Sequence, residues 1–412
     1  MATLIKREGN LNKVFHRINF IAAFVALAVV NGAITQKTFS LGNLYYAILI
    51  IALLMTFFQA TIKRLSVSMS FIYICCMLSI LLNDIPTVYQ PWARFGLFVI
   101  VTVIASPFIQ SNFYDKFRIN LFKYIHNLLI LIMVFSIPAI VLNERSITGM
   151  FTGVTNHSML LAPISAVTLI TLIYYLYINK LNRILLLILI AFSFVALLLA
   201  ASRISLAGFV LAMVFFFYRK NRHNMREFAK TGISILAIFI LTYPLWNGYM
   251  EGIEKKNEAA INAETGEMNL ASSREIIWIQ RIKEFHSSPI VGIGFCYAPL
   301  VVGKNEYSGE FITANTYDGN IEPGSSWLGV FSMTGLLGFL GIISLWIRSF
   351  RMCFKMEKKD NLYAIYLSSM MVFWCVHMIA EGEIFSAGGV LCFMVWLGVG
   401  TVQAAYNVLY KQ

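Results

Sequence analysis

Long apolar runs separated by short charged segments form the main pattern along this chain. Twelve such runs occur, and most are close to the length with which an α-helix crosses a lipid bilayer. They predict membrane-spanning helices near residues 18–34, 43–60, 67–82, 95–110, 121–142, 158–178, 184–201, 204–218, 231–246, 327–347, 362–379 and 385–405. Only Ser202-Arg203 separates the seventh and eighth runs, which predicts either a tight hairpin or one broken helix.

The distribution of basic residues indicates how these predicted helices are oriented across the membrane. With the N-terminus in the cytoplasm, 22 of the 32 Lys and Arg residues fall in cytoplasmic segments, whereas 15 of the 20 acidic residues fall outside. Cytoplasmic loops of membrane proteins are enriched in Lys and Arg. The pattern therefore predicts about twelve transmembrane helices with both the N-terminus and the C-terminus inside.

Composition excludes a soluble globular domain. Charged residues make up 13% of the 412 residues, about half the usual fraction of roughly 25%, and the mean hydropathy is +0.73. The net charge of +12 is not clustered on a soluble face, so no nucleic-acid partner is expected. The six cysteines lack metal-ligand spacing. We therefore expect an all-α polytopic membrane protein, with residues 1–412 forming a single membrane domain.

One loop is much longer than the others. Residues 247–326 connect the ninth and tenth predicted spans on the outer side, and long loops are uncommon unless they are functional or disordered. Within this loop, residues 272–286 carry apolar side chains at helical spacing. They predict an amphipathic helix that lies on the outer membrane face or caps the bundle. Pro289, Gly292 and Gly294 then predict a turn near the membrane.

Arginines on the outer side are the strongest sign of chemistry. Arg94, Arg203 and Arg274 all break the inside preference, and Arg203 falls close to the hydrocarbon boundary, where an ionisable residue indicates a functional site. The alternative is an arginine that reaches lipid headgroup phosphates from the membrane edge. Because guanidinium binds phosphate oxygens in pairs, a lipid-linked diphosphate is the candidate substrate.

Three stretches together resemble the bacterial O-antigen ligase and O-antigen polymerase superfamily. The first is Ala201-Ser202-Arg203. The second is Ser273-Arg274 with Trp278, followed by the turn at 288–294. The third begins at Glu322-Pro323-Gly324-Ser325-Ser326-Trp327-Leu328 and continues to the Gly-Leu-Leu-Gly run at 335–338. The resemblance covers roughly residues 150–400.

The resemblance implies a membrane-embedded glycosyltransferase in the bacterial inner (cytoplasmic) membrane, with its active site facing the periplasm. Its donor would be an oligosaccharide linked to undecaprenyl diphosphate, used without a nucleotide sugar, metal or other cofactor. The implied acceptor is a glycan or the lipid A core. Membrane lipid and a chain-length regulator protein are the other implied partners.

The same resemblance suggests roles for individual residues. Arg203 and Arg274 would neutralise the leaving diphosphate, and Glu322 would hold or deprotonate the acceptor hydroxyl. Ligases commonly carry His where this chain has Glu322, which favours a polymerase and keeps ligase as the close alternative. A helix-capping role for Glu322 is the competing interpretation. The residues expected to bind substrate are Arg94, Asn156, His157, Trp278, Arg281, Ser325 and Ser326.

Two further alternatives stay open at this point. Twelve spans with both ends inside are also typical of secondary transporters and flippases, although no internal repeat is visible and the polar residues gather at one face. Glu381 and Glu383, beside His377, either support the site or form a solvated turn. Likewise, Asn156 and His157 either line the site or simply start the sixth span.

Overall fold

The computed structural model describes most of the chain. The described residues are 2–34, 41–42, 44–59, 62, 64–141, 150–222, 224, 226, 229–230, 274–299, 301–304, 311–313, 321–358 and 362–409. The predicted ninth span (231–246) and residues 247–273 of the long loop therefore lie outside the described residues.

Within those residues the fold is almost entirely helical. The helices are α1 (Ala2–Asn31), α2 (Leu44–Gln59), α3 (Val67–Leu81), α4 (Pro91–Ala105), α5 (Asn112–Val141), α6 (Ser158–Tyr177), α7 (Arg183–Leu199), α8 (Arg203–Lys220), α9 (Arg274–Ser287), α10 (Ser326–Glu357), α11 (Leu362–His377) and α12 (Val390–Leu409). Two antiparallel strand pairs join β1 (Arg64–Leu65) to β2 (Ile109–Gln110) and β3 (Val301–Lys304) to β4 (Phe311–Thr313).

The helices are those of a membrane protein. Five of the described segments are long and apolar enough to cross a bilayer: Thr87–Ala105, Asn112–Ala139, Ser158–Tyr177, Ser326–Glu357 and Val390–Val408. Others, such as Arg183–Leu199, are equally apolar but shorter. The full count of twelve spans stays a prediction.

Some boundaries differ from those predicted. The fourth predicted run, 95–110, is helical only as far as Ala105, and the chain then bends so that the carbonyl of Phe108 accepts a hydrogen bond from the amide of Ser66. Pro91 occupies the first position of α4, where its missing N–H costs no hydrogen bond. Between α7 and α8 the chain makes a short turn through Ala201, whose φ is 51°. The seventh and eighth runs are thus two separate helices.

Ion pairs show that α8 and α10 run in the same direction. At their C-terminal ends, Arg219 of α8 contacts Glu357 of α10 at 2.6 Å. At their N-terminal ends both helices meet the segment that follows α11, as described below. We call this second end the loop end, because the long loop enters α10 there. The prediction from Lys and Arg places the loop end outside.

Helix α10 is broken at Gly335, where φ is 62° and ψ is −165°. The segment after α9 fills the break: the amide of Leu336 donates to the carbonyl of Pro289 at 2.8 Å. A Cβ atom at Gly335 would lie 2.3 Å from the carbonyl oxygen of Ile290, and one at Gly292 would lie 2.4 Å from the backbone of Met333. Glycine is therefore required at both positions, because two backbones approach each other directly.

Helix α9 buries two charged side chains together with only part of its apolar face. Ile277, Arg281 and Glu284 face inward, whereas Ile279 and Ile282 are more than two-fifths exposed. All three isoleucines belong to the apolar positions that predict this helix, and two of the three point away from the protein. This orientation suits a helix with lipid on one side and a polar site on the other.

The predicted orientation has a direct test. Ile290 is 63% exposed in the segment after α9, and Leu181 is 45% exposed between α6 and α7, on the side predicted to be cytoplasmic. We expect Ile290→Cys to react with a membrane-impermeant maleimide in intact spheroplasts, and Leu181→Cys to react only after lysis. The unsubstituted chain is the control for its native cysteines. The reverse labelling pattern would invert the orientation.

Candidate active site

Arg274 is the centre of a polar cluster at the loop end. Its Nη2 lies 2.8 Å from Glu381 Oε1, and its Nη1 donates to the carbonyl of Gly324 at 3.2 Å. A guanidinium carries five N–H donors, so Arg274 has further donors for a ligand. Its side chain is 18% exposed. Burial raises the pKa of Glu381, and the neighbouring guanidinium opposes that rise.

Trp278 holds the same turn as Arg274. Its indole Nε1 donates to the carbonyl of Gly324 at 3.1 Å, one helical turn after Arg274 on α9. Gly324 has a φ of 66°, and a Cβ atom there would lie 2.5 Å from Ile277. The turn at Gly324 therefore packs directly against α9. Through its hydrogen bond to Gly324, Trp278 helps to position this turn beside Arg274.

Ser325 and Ser326, the serines predicted to bind substrate, both make hydrogen bonds within the fold, and their substrate-binding role stays a prediction. Both are buried. Ser325 is the N-cap of α10 and accepts from the amide of Leu328 at 3.3 Å. The hydroxyl of Ser326 donates to the carbonyl of Glu381 at 2.7 Å and accepts from the amide of Glu383 at 2.7 Å. These two serines fix the segment that presents Glu381 to Arg274.

A buried chain of polar side chains connects this segment to α8. His377 Nδ1 lies 2.9 Å from Glu383 Oε1, and its Nε2 lies 3.0 Å from the hydroxyl of Ser205. Ser205 in turn lies 3.0 Å from the hydroxyl of Ser202, the N-cap of α8. The first turn of α8, which carries Arg203, is therefore tied to the segment that carries Glu381.

Removing His377 should weaken the fold strongly. Glu383 is buried beside it, and leaving a buried charge without its partner costs about 3–5 kcal/mol. We expect His377→Ala to lower the thermal midpoint of the detergent-solubilised chain well below that of Ser369→Ala. Ser369 is a matched control, because its buried hydroxyl donates to the carbonyl of Ile365 in its own helix. The double variant with Glu383→Ala should lose less than the sum of the single losses; strict additivity would exclude the pairing.

Arg203 is the first residue of α8, and its side chain is exposed at the loop end. The free amides of a helix N-terminus add partial positive charge there. The structure thus places Arg203 and Arg274 at the same end of the bundle, linked through Ser205, His377 and the segment with Glu381.

Glu322 does not cap α10. The cap is Ser325, the helix starts at Ser326, and Pro323 lies before the helix rather than in its first turn. Glu322 is half-buried, and its amide donates to the carbonyl of Ala298 at 3.1 Å. Its carboxylate lies within electrostatic range of Arg281. The capping interpretation therefore fails.

Arg281 is fully buried, and its predicted role in binding substrate stays a prediction. Its Nη2 lies 3.1 Å from Glu284 Oε1 and 3.0 Å from the carbonyl of Pro299. Burial lowers the pKa of Arg281 and raises that of Glu284, while the pairing opposes both shifts. Ser332 of α10 also donates to Glu284 at 2.5 Å. Arg281 therefore anchors α9 to α10 and to the segment that leads to Glu322.

Arg94 lies in a different place from Arg274. It lines a cavity of about 760 Å³ between α2, α4, α10 and the segment before α12. Asn156 and His157 are exposed, and His157 rather than Asn156 is the N-cap of α6, accepting from the amide of Met159 at 3.1 Å. The amide of Asn156 donates to the carbonyl of Ala33. His157 therefore starts α6, whereas Asn156 contacts the segment after α1, and none of the contacts described for them reaches Arg274.

The contacts that build the site were only partly visible in the sequence. Glu381 and Glu383 stood out as acids beside His377, but nothing in the spacing paired Glu381 with an arginine 107 positions away. Ser205 gave no signal of its own. A polar residue one helical turn inside an apolar run, beside a predicted outer boundary, is the one feature that could have drawn attention to it.

Comparison with known proteins agrees with the resemblance. Residues 186–343 match the model of the O-antigen ligase family. The matched part is less than half of the chain, and it includes Arg203, Arg274 and Glu322. No curated protein matches the chain. The resemblance to the O-antigen ligase and polymerase superfamily is therefore confirmed over this part of the chain.

Proposed function

We propose that this protein is a periplasmic-face glycosyltransferase that polymerises a surface polysaccharide, namely O-antigen, capsule or exopolysaccharide. Its donor is an oligosaccharide linked to undecaprenyl diphosphate, and its acceptor is a sugar hydroxyl. The observation that carries the proposal is the cluster in which Arg274, on α9, meets the Glu322–Gly324 turn and Glu381. The family match over 186–343 supports the same class of reaction.

The proposed chemistry follows from charge. The bond between the anomeric carbon and the diphosphate oxygen breaks, and its electron pair leaves with the diphosphate. Arg203 and Arg274 stabilise that developing charge as preorganised cations. The acceptor oxygen attacks the same carbon from the opposite face, and its proton passes to Glu322. In-line attack gives inversion at the anomeric carbon. No step requires a metal.

Bundle geometry also suits the lipid part of the donor. Arg203 begins the apolar helix α8 and Arg274 begins the amphipathic helix α9 at the same end of the bundle, so a polyprenyl tail stays in the bilayer while its diphosphate reaches both cations. Arginine suits an anionic substrate at such a boundary, because its guanidinium forms paired, charge-assisted hydrogen bonds with phosphate oxygens. The acceptor and a chain-length regulator protein would then approach from the predicted periplasmic side.

Ligase activity, with the lipid A core as acceptor, is the close alternative, and its support is the name of the matching family. A flippase is the third candidate, and it needs a polar path through the bilayer. Within the described residues the ion pairs lie near the two ends of α8 and α10 instead. We therefore place transfer ahead of transport.

Deletion of the gene separates these candidates through the intermediate that accumulates. For a polymerase, we expect single repeat units on the lipid carrier at the periplasmic face and loss of the polymer. A ligase deletion would instead leave full-length polymer on the carrier. Single units held at the cytoplasmic face would identify a flippase and refute the proposal.

A further inference from the structure

The cavity beside Arg94 is separate from the Arg274 cluster but shares a wall with it. Pro323 lines the cavity. A Cβ atom at Gly382 would lie 2.6 Å from the Pro323 ring, and Gly382 follows Glu381, the partner of Arg274. The turn that starts at Glu322 therefore contacts both the Arg274 cluster, through Gly324, and the cavity, through Pro323.

The cavity has one cationic residue in its wall and is partly polar. Among its lining residues Arg94 alone carries a charge. Gln90 and Ser386 add hydrogen-bonding groups, and Gly388 and Gly389 leave backbone uncovered. A polyprenyl tail would use none of these groups.

Apolar side chains form the rest of the wall. Leu97, Ile100, Met333 and Phe385 line the cavity, and such surfaces suit the C–H faces of sugar rings. The volume of about 760 Å³ falls in the range of sites that hold small organic ligands, about 300–1,000 Å³. The combination of apolar walls, scattered polar groups and one cation fits a short stretch of acidic saccharide.

We propose that this cavity binds the acceptor end of the glycan and prefers a sugar that carries a carboxylate or another anionic group, held by Arg94. The proposal rests on the transferase function proposed above, and it gives the acceptor a compartment separate from the diphosphate site. An acceptor bound here ends at the turn that carries Glu322, so its hydroxyl meets the proposed base at the shared wall. Arg94 thereby acts on the acceptor rather than on the diphosphate.

Protection of a cysteine from labelling tests the site without requiring turnover. Ala93 is an exposed residue of the cavity wall, and Ile290 lies outside the cavity. The probe is the source cells' own repeat-unit glycan, released from its lipid carrier by mild acid. A second probe is the same glycan with its carboxyl groups reduced to alcohols. We expect the first probe to slow maleimide labelling of Ala93→Cys at least fivefold and to leave Ile290→Cys unchanged.

Arg94→Gln in the Ala93→Cys background should remove most of that protection, whereas Lys283→Ala, which deletes an exposed positive charge from α9, should not. If the carboxyl-reduced glycan protects Ala93→Cys equally well, the proposed preference for an acidic sugar is wrong. It is also wrong if the native repeat unit carries no anionic group. Protection by polyprenyl phosphate alone, or no protection by either glycan, would overturn the acceptor site. If Ala93→Cys is not protected although the chain still transfers sugar, only this inference is refuted. If Ala93→Cys is protected but the chain transfers no sugar, only the proposed function is refuted.

Discussion

Arg274→Ala should reduce transfer by about a hundredfold or more while the protein still inserts and folds. Removing one preorganised group at a site of developing negative charge typically costs about 10²–10³ in rate, and Arg274 is tied to the turn that carries the proposed base. Arg274→Lys keeps the charge but loses the paired N–H geometry. We expect it to fall between the wild type and Arg274→Ala.

The measurement is the initial rate of chain lengthening by purified protein, at matched amounts and matched thermal stability. Lys283→Ala is the control, since Lys283 lies exposed on the same helix. Glu381→Gln should keep more activity than Arg274→Ala, because it disturbs the position of the guanidinium without removing it. Wild-type rates in both Arg274 variants would eliminate the proposed diphosphate site.

Glu322→Gln should reduce the rate by about 10²–10⁴, the usual contribution of a general base. The substitution is nearly isosteric, and Glu322 is not the cap of α10, so the fold should survive. Loss of activity would therefore reflect the missing proton acceptor.

Ser325→Ala is the matched control for Glu322→Gln, because Ser325 is the actual cap. Loss of a cap costs about 0.5–2 kcal/mol of stability, so its activity should recover when rates are compared at equal amounts of folded protein. A loss below about tenfold in Glu322→Gln would assign Glu322 to structure and leave the reaction without its base.

The sequence predicts the helices of this protein well and its tertiary contacts poorly, for a physical reason. A helix satisfies its own backbone within a bilayer, so apolar length alone reveals α6, α10 and α12. Gly292 and Gly335 are visible as glycines, but only the structure shows that each lets another backbone enter the break in α10.

The site depends on pairs that are far apart in the chain. Arg274 and Glu381 belong to segments on either side of α10 and α11, and His377 meets Ser205 across 172 positions. No local periodicity encodes such partners. Similarly, Ser325 and Ser326 resemble ligand groups in the sequence, and only their burial shows that their hydroxyls hold the fold together.

The most direct test of transferase function is chain length on the lipid carrier. The purified protein would be reconstituted in liposomes with the undecaprenyl-diphosphate-linked repeat unit from its source cells, and the products separated by size. We predict a ladder of longer lipid-linked glycans that disappears in Arg274→Ala. Repeat units that cross the liposome membrane but never lengthen, and are never transferred to a lipid A core, would contradict a transferase.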